Sequence, residues 1–388
     1  MKKILTAMMV LAIFAFSSAA FAAENAVSSD KKNEAAEAIA EITKTPAAQE
    51  KKDAPKTASK TETQVKNAPA SADKTAQSAE KTVKSADSKA QEVQPAETVR
   101  PIKPSPMKAG DPETEQSILV TPEWLLKNRA GAVLVDARPE SLYTGGHIQG
   151  AVNASWTYFA NMSAPTGSMK YGTIYAPSTM GKRIGALGIN GKKTVVIYDD
   201  AGGWGQSGWT LWILRMSGIK NAKILDGGLT AWKAAGGKVV KTRHSNKAVP
   251  FQVKEYKANY LVNTEWINNN LGKEGLVILD VRTPAEYDGK IRPFQEKRAG
   301  HLPGAVNIEM SNFVTSSYNF KDEPEIEELL NKAGITRDTE IVVYDTAGVR
   351  AAFVTMALRY AGFHKSQCYD EGFQAWAGAK HLPLEKAE

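Results

Sequence analysis

The sequence predicts two α/β domains, each a mostly parallel sheet flanked by helices, behind a long polar tether. Three observations predict it. The first is an internal repeat. Ala132-Val133-Leu134-Val135-Asp136-Ala137-Arg138 is answered by Leu276-Val277-Ile278-Leu279-Asp280-Val281-Arg282, with Asp136 and Asp280 separated by 144 positions. Asp226 and Asp370 repeat that spacing, and Thr194–Asp199 is answered by Glu340–Asp345. The second is that each copy alternates short apolar runs with helical stretches. Strands buried on both faces read as unbroken apolar runs, and this alternation is the pattern of a helix-covered parallel sheet. The third is composition: no aromatic residue occurs between Phe21 and Trp124, so the stretch before the repeat has little to bury.

In chain order, Lys2 and Lys3 precede an apolar run from Ile4 to Phe16 and the small residues Ala20-Phe21-Ala22-Ala23. That is the order of a cleaved secretory signal over residues 1–23, and the run is short for a membrane span. The protein is therefore expected to be exported, for instance to a periplasm, with no transmembrane span in the mature chain. Residues 24–116, rich in Ala, Lys, Glu, Ser, Thr and Pro, read as a disordered tether. The first domain is expected over 117–240, a linker over 241–256 and the second domain over 257–388. Thr283-Pro284-Ala285-Glu286 has the form of a capping box and should start a helix. Gly218 and Gly362 should end the helices after the two central loops.

The 388 residues carry Lys+Arg 49 against Asp+Glu 42, a formal net charge of +7. This modest excess is spread along the chain without aromatic interleaving, which argues against nucleic-acid binding. The single cysteine, Cys368, excludes an intramolecular disulfide, a Cys-based metal site and a redox pair. No metal and no cofactor is expected.

The stretch that matters most for function is Ile341 to Tyr360. An apolar strand ending in Tyr344 runs into a tight loop, and a helix is expected from Ala351 to Tyr360. Such a turn aims several backbone N–H groups and the positive end of a helix dipole at one point, where anions bind. The loop holds Asp345, Thr346, Ala347, Gly348, Val349, Arg350 and Ala351. It resembles the active-site loop of the tandem-domain rhodaneses, which include thiosulfate and 3-mercaptopyruvate sulfurtransferases. That loop reads Cys-x-x-Gly-x-Arg after a strand ending in Tyr. The resemblance covers Ile118 to the C-terminus, with the motif His-Ile/Leu-x-Gly-Ala-Val-Asn in both copies and a closing Asp-x-Gly-φ-x-x-Trp.

The resemblance implies sulfur transfer through a cysteine persulfide, with loop N–H groups and an arginine stabilising the anions. Gly348 and Arg350 match the motif; Asp345 stands at the position of the nucleophile and cannot form a persulfide. Its carboxylate carries the charge the cradle is built to hold and is expected to act as a built-in occupant. The expectation is a rhodanese-like protein without standard thiosulfate sulfurtransferase activity. It would bind a small anionic, sulfur-containing ligand or an envelope protein partner. The alternatives are an active sulfurtransferase using Cys368, and a different hydrolase or transferase with Asp345 as nucleophile.

Other residues weigh less. Arg350 either binds an anion or pairs with Asp345, and pairing is favoured. Arg282 lies where similar proteins place an arginine toward substrate; a salt bridge with Asp280 or Glu286 explains it equally well. His147 and His301 are more simply loop-holding residues than acid–base groups. Cys368 sits in the strand Gln367-Cys368-Tyr369, where a buried thiol is inert. A cation site from Asp199, Asp200 and Asp345 is disfavoured. Gly203-Trp204-Gly205-Gln206-Ser207-Gly208 is a literal G-x-G-x-x-G. Asp199 to Gly202 separate it from its strand, the second copy lacks it, and dinucleotide binding is therefore rejected. With Trp209 and Trp212, that loop is expected to line the interface between the copies.

Overall fold

The computed structural model describes residues 118–200, 203–315 and 320–386. The signal and tether stretches lie outside them. Two five-stranded sheets carry the fold. In the first domain the strands are β1 (Leu119–Val120), β2 (Ala132–Asp136), β4 (Ala151–Asn153), β5 (Thr194–Tyr198) and β6 (Ala222–Leu225), in the order β1-β6-β5-β2-β4. In the second they are β8 (Leu261–Val262), β9 (Leu276–Asp280), β10 (Val306–Asn307), β11 (Glu340–Tyr344) and β12 (Ser366–Tyr369), in the order β10-β9-β11-β12-β8. Read from the other edge, the second order is the same as the first. Every pairing in both sheets is parallel. A short antiparallel pair joins β3 (His147–Ile148) to β7 (Val239–Val240), and in the second domain an antiparallel bridge between His301 and Glu385 takes its place.

The apolar runs are strands because both their faces are covered. Val195 to Tyr198 and Ile341 to Tyr344 are all buried. Helix α1 (Gln206–Met216) follows β5 and helix α2 (Val349–Tyr360) follows β11. Every residue of α1 is buried, and so are all of α2 except Arg350 and Tyr360. A helix buried on every side belongs inside a larger core. Both domains lie in one compact unit, and these two helices pack on each other between them. Glycine makes that approach close. A Cβ at Gly208 would lie 2.5 Å from Phe353 Cα, and one at Gly205, whose φ is +72°, 2.6 Å from Phe353 Cβ. The G-x-G-x-x-G run is thus a helix-packing device. Trp209 and Trp212 are buried beside it.

Helix starts and stops follow the local chemistry. The Thr283/Glu286 capping box forms and opens the short helix α3 (Pro284–Tyr287). Gly218 and Gly362 adopt φ of +92° and +89° just past the ends of α1 and α2. Helix α2 begins at Val349, two residues earlier than expected, because Gly348 turns left-handed (φ +88°) and lets Val349 and Arg350 wind into the first turn. Among the described residues no helix is long and apolar enough to cross a membrane.

Candidate functional site

The two central loops leave the carboxyl ends of β5 and β11, where open parallel sheets place ligand sites. The β11 loop is clamped from below. Phe373 N–H donates to the Asp345 carbonyl at 2.8 Å and Gln374 N–H to that of Thr346 at 3.1 Å. Gly348 and Gly372 pass so close to Asp370 and Thr346 that a Cβ at either would sit within 2.7 Å of backbone. The loop is therefore a fixed cradle.

The cradle holds the Asp345 carboxylate. Oδ1 accepts from Gly348 N–H at 2.6 Å and from Ala351 N–H at 3.4 Å; Oδ2 accepts from Arg350 N–H at 3.4 Å and Arg350 Nε at 3.2 Å. Of the other loop residues singled out, Thr346 contributes its hydroxyl to the network below. Ala347 lies against Gly172, and Val349 is buried. Arg350 also grips Glu286 with both terminal nitrogens, at 2.9 and 3.0 Å. Burial alone would raise the Glu286 carboxyl, but the guanidinium overrides it and holds it down to about 2. The Trp204 ring, from the long first-domain loop, lies 5.7 Å from Arg350 Cζ.

Beneath this pair is a residue that sequence reading missed. Glu296 is fully buried, and its Oε1 accepts from Thr346 Oγ1 at 2.9 Å and from Arg282 Nη1 at 3.2 Å. Its Oε2 has no hydrogen-bond partner among the described residues, and burial pushes its carboxyl up to about 7. Arg282 does not face open space. It is fully buried, holds Asp280 at 2.6 Å and the Gly300 carbonyl at 2.8 Å, and lies 4.0 Å over the Phe373 ring. Of its two expected partners, Asp280 is right, and Glu296 takes the place of Glu286.

The unpartnered oxygen makes Glu296 a source of pH dependence. Its folded pKa lies above the ordinary 4.5, so between about 4.5 and 7 the folded chain keeps a proton that the unfolded chain has lost. Its contribution is complete below the unfolded value and is lost as pH rises through 7. Glu286, held low, works the other way and loses its contribution as pH falls toward 2. The Glu296→Gln variant should lose less stability than the wild type between pH 5 and 8, by roughly 2–3 kcal/mol. Thermal denaturation at several pH values checks this, and parallel curves for the two proteins would refute it.

The remaining candidates are held by local contacts. Cys368 is buried, donates its thiol to the Gly348 carbonyl at 3.6 Å, and is pushed well above the ordinary thiol range by burial. His147 and His301 stack on Tyr143 and Tyr287 at 3.7 Å and place Nδ1 within 2.8 and 2.9 Å of those residues' carbonyls. Asp199 accepts from Ser207 N–H and Asp200 from Arg138, beside a cavity of about 20 Å³, roughly one water's worth. Among the described residues no three His, Cys, Asp or Glu side chains could hold a metal ion. A first-domain segment roofs the β11 loop: Ile174 N–H donates to Asp370 Oδ2 at 3.1 Å, and the Tyr171 carbonyl accepts from Gln374 Nε2 at 2.7 Å.

Two matching parallel α/β domains, with paired loops at the ends of their central strands, define a tandem-repeat α/β protein of one family. The chain belongs to the rhodanese family, since the Rhodanese-like domain model matches residues 121–235 and again 263–379. It is 31% identical over 293 residues to a thiosulfate sulfurtransferase of Corynebacterium glutamicum, covering 70% of this chain and 91% of that one. It is 28% identical over 288 residues to the sulfur carrier protein TtuD of Thermus thermophilus, covering 70% and 97%. A structure of an EanB variant in complex with ergothioneine superposes with a TM-score of 0.64 at 21% identity, covering 70% of each chain. The chain is thus a tandem rhodanese of the sulfurtransferase family.

Proposed function

We propose that this protein is an exported rhodanese that has lost the persulfide chemistry and serves as a binding module in the cell envelope. The observation that carries the reading is the Asp345 carboxylate, which accepts the loop N–H groups that would meet a bound anion, at the position where the motif resemblance puts the family's nucleophile. A carboxylate cannot attack the outer sulfur of a donor to give a persulfide. The module takes a small anionic, sulfur-containing ligand or an envelope protein partner. With Arg350 gripping Glu286 bidentately, a free anion reaches the guanidinium only by displacing one of two carboxylates. The leader at residues 1–23 supports export.

The second reading, an active sulfurtransferase using Cys368, is favoured by the sulfurtransferases among the relatives. It is opposed by a thiol that is buried and hard to ionise. Thiosulfate turnover by the purified chain decides between them. The wild type and Cys368→Ser should both be silent. Wild-type turnover that disappears in Cys368→Ser would overturn the proposal and make the lone thiol the catalyst.

A further inference from the structure

The segment between α3 and His301 has no counterpart in the first domain. The two copies stand 144 positions apart at Asp136 and Asp280 but 154 apart at His147 and His301, an insertion of ten residues. Its root is Glu296, in the buried network. Its tip carries Ile291 and Phe294, exposed by 56% and 60%, more than any other large apolar side chain among the described residues.

Both ends of the insertion are fixed. Ile291 N–H donates to the Ala285 carbonyl at 2.9 Å. Arg298 donates to the carbonyls of Trp376, Ala377, Ala379 and Leu382. Pro293, between the two apolar residues, removes a backbone degree of freedom. The tip is thus held out by its own base. Lys290, Arg292 and Lys297 flank it in sequence and are exposed. Lys290 pairs with Asp288 at 2.7 Å, Arg292 donates to the Glu296 carbonyl and Lys297 lies beside Gly167, while the Glu296 carboxyl is in the interior, so the three cations face one exposed-side carboxylate. A lone exposed apolar residue needs no explanation. An aromatic and a branched aliphatic side chain together on a stiff projection with exposed cationic neighbours have the chemistry of an interfacial anchor.

We propose that this insertion docks the protein on an anionic phospholipid surface. Ile291 and Phe294 enter the headgroup layer while Lys290, Arg292 and Lys297 meet the phosphates. A projecting tip suits a deformable surface, and charge complementarity selects an anionic one. The inference does not depend on what Asp345 does. It puts the Asp345 cradle, which shares Glu296 with the insertion, at the membrane face.

The test uses the chain without residues 1–23. This keeps every described residue and removes an apolar stretch that would partition by itself. Sedimentation with phosphatidylglycerol vesicles should carry the protein down at low salt and much less at high salt, and phosphatidylcholine vesicles should carry little. Phe294→Ser should weaken partitioning about tenfold and Ile291→Ser several-fold, while Phe294→Trp keeps it. Lys290→Glu should weaken it about fivefold or more on the anionic vesicles. All three positions substituted are exposed, so melting temperatures should match the wild type. No sedimentation with anionic vesicles, as expected if the patch instead meets an acidic protein, overturns the proposal. So does equal sedimentation of the wild type and Phe294→Ser.

Discussion

Asp345→Cys is expected to give measurable thiosulfate sulfurtransferase activity, where the function proposed above expects none of the native chain. The substitution completes the Cys-x-x-Gly-x-Arg motif on a loop whose backbone is clamped from Phe373, Gln374 and Gly372, so the cradle should survive it. A thiol there would lie within reach of the Gly348, Arg350 and Ala351 N–H groups and at the start of the twelve-residue helix α2. Both features lower a thiol's pKa and raise its thiolate fraction at neutral pH. The thiolate attacks the outer sulfur of thiosulfate, sulfite leaves with the electron pair of the broken S–S bond, and the persulfide hands its sulfur to an acceptor. The rate should exceed the wild-type background by about tenfold or more while staying modest, because Glu286 keeps Arg350 engaged and its charge opposes the dianion. Steady-state assays with and without a thiol-blocking reagent check this. A variant that folds, is alkylated at residue 345 and still fails to form a persulfide would show that more than the nucleophile has been lost.

The sequence carried the architecture because repeated apolar runs and turn residues are local signals. The strand ending at Tyr344, the Thr283 capping box and the glycines after the central helices were all legible. So was the pairing of Arg350 with Asp345 across the tight loop, whereas its bidentate grip on Glu286, 64 positions away, was not. Glu296 was not legible. It lies in the one stretch where the two copies fall out of register, so no repeat pointed to it, and a glutamate among Gln295, Lys297 and Arg298 reads as solvated. Only tertiary packing takes it inside, against Thr346 fifty positions away. The G-x-G-x-x-G run was partly legible. Its distance from the strand and its absence from the second copy argued against a phosphate loop and for the interface between the copies, and only the fold shows that the group its glycines admit is Phe353.

Arg282→Ala is expected to be the most destabilising single truncation in the site, at about 3–5 kcal/mol. The guanidinium neutralises Asp280, which is fully buried and accepts from it at 2.6 Å, and with Thr346 it is one of two donors to the Glu296 carboxyl among the described residues. Removing it leaves a buried carboxylate without its counter-charge, leaves Glu296 with Thr346 alone, and opens a gap over the Phe373 ring. In a fold of this size each 1 kcal/mol moves the melting temperature by roughly 2–4 °C, so the drop should be about 10 °C. The contrasting variant is Arg243→Ala. Arg243 pairs with Glu140 on the surface, where the two side chains are 61% and 64% exposed, and its loss should cost less than about 1 kcal/mol. The comparison separates pairing from burial. If both truncations cost about the same, the interior network is not held by its charges. If Arg282→Ala alone collapses the fold, and Glu296→Gln in the same background recovers part of the loss at pH 8 but not at pH 5, then the arginine is what allows a second carboxylate to lie beneath the cradle.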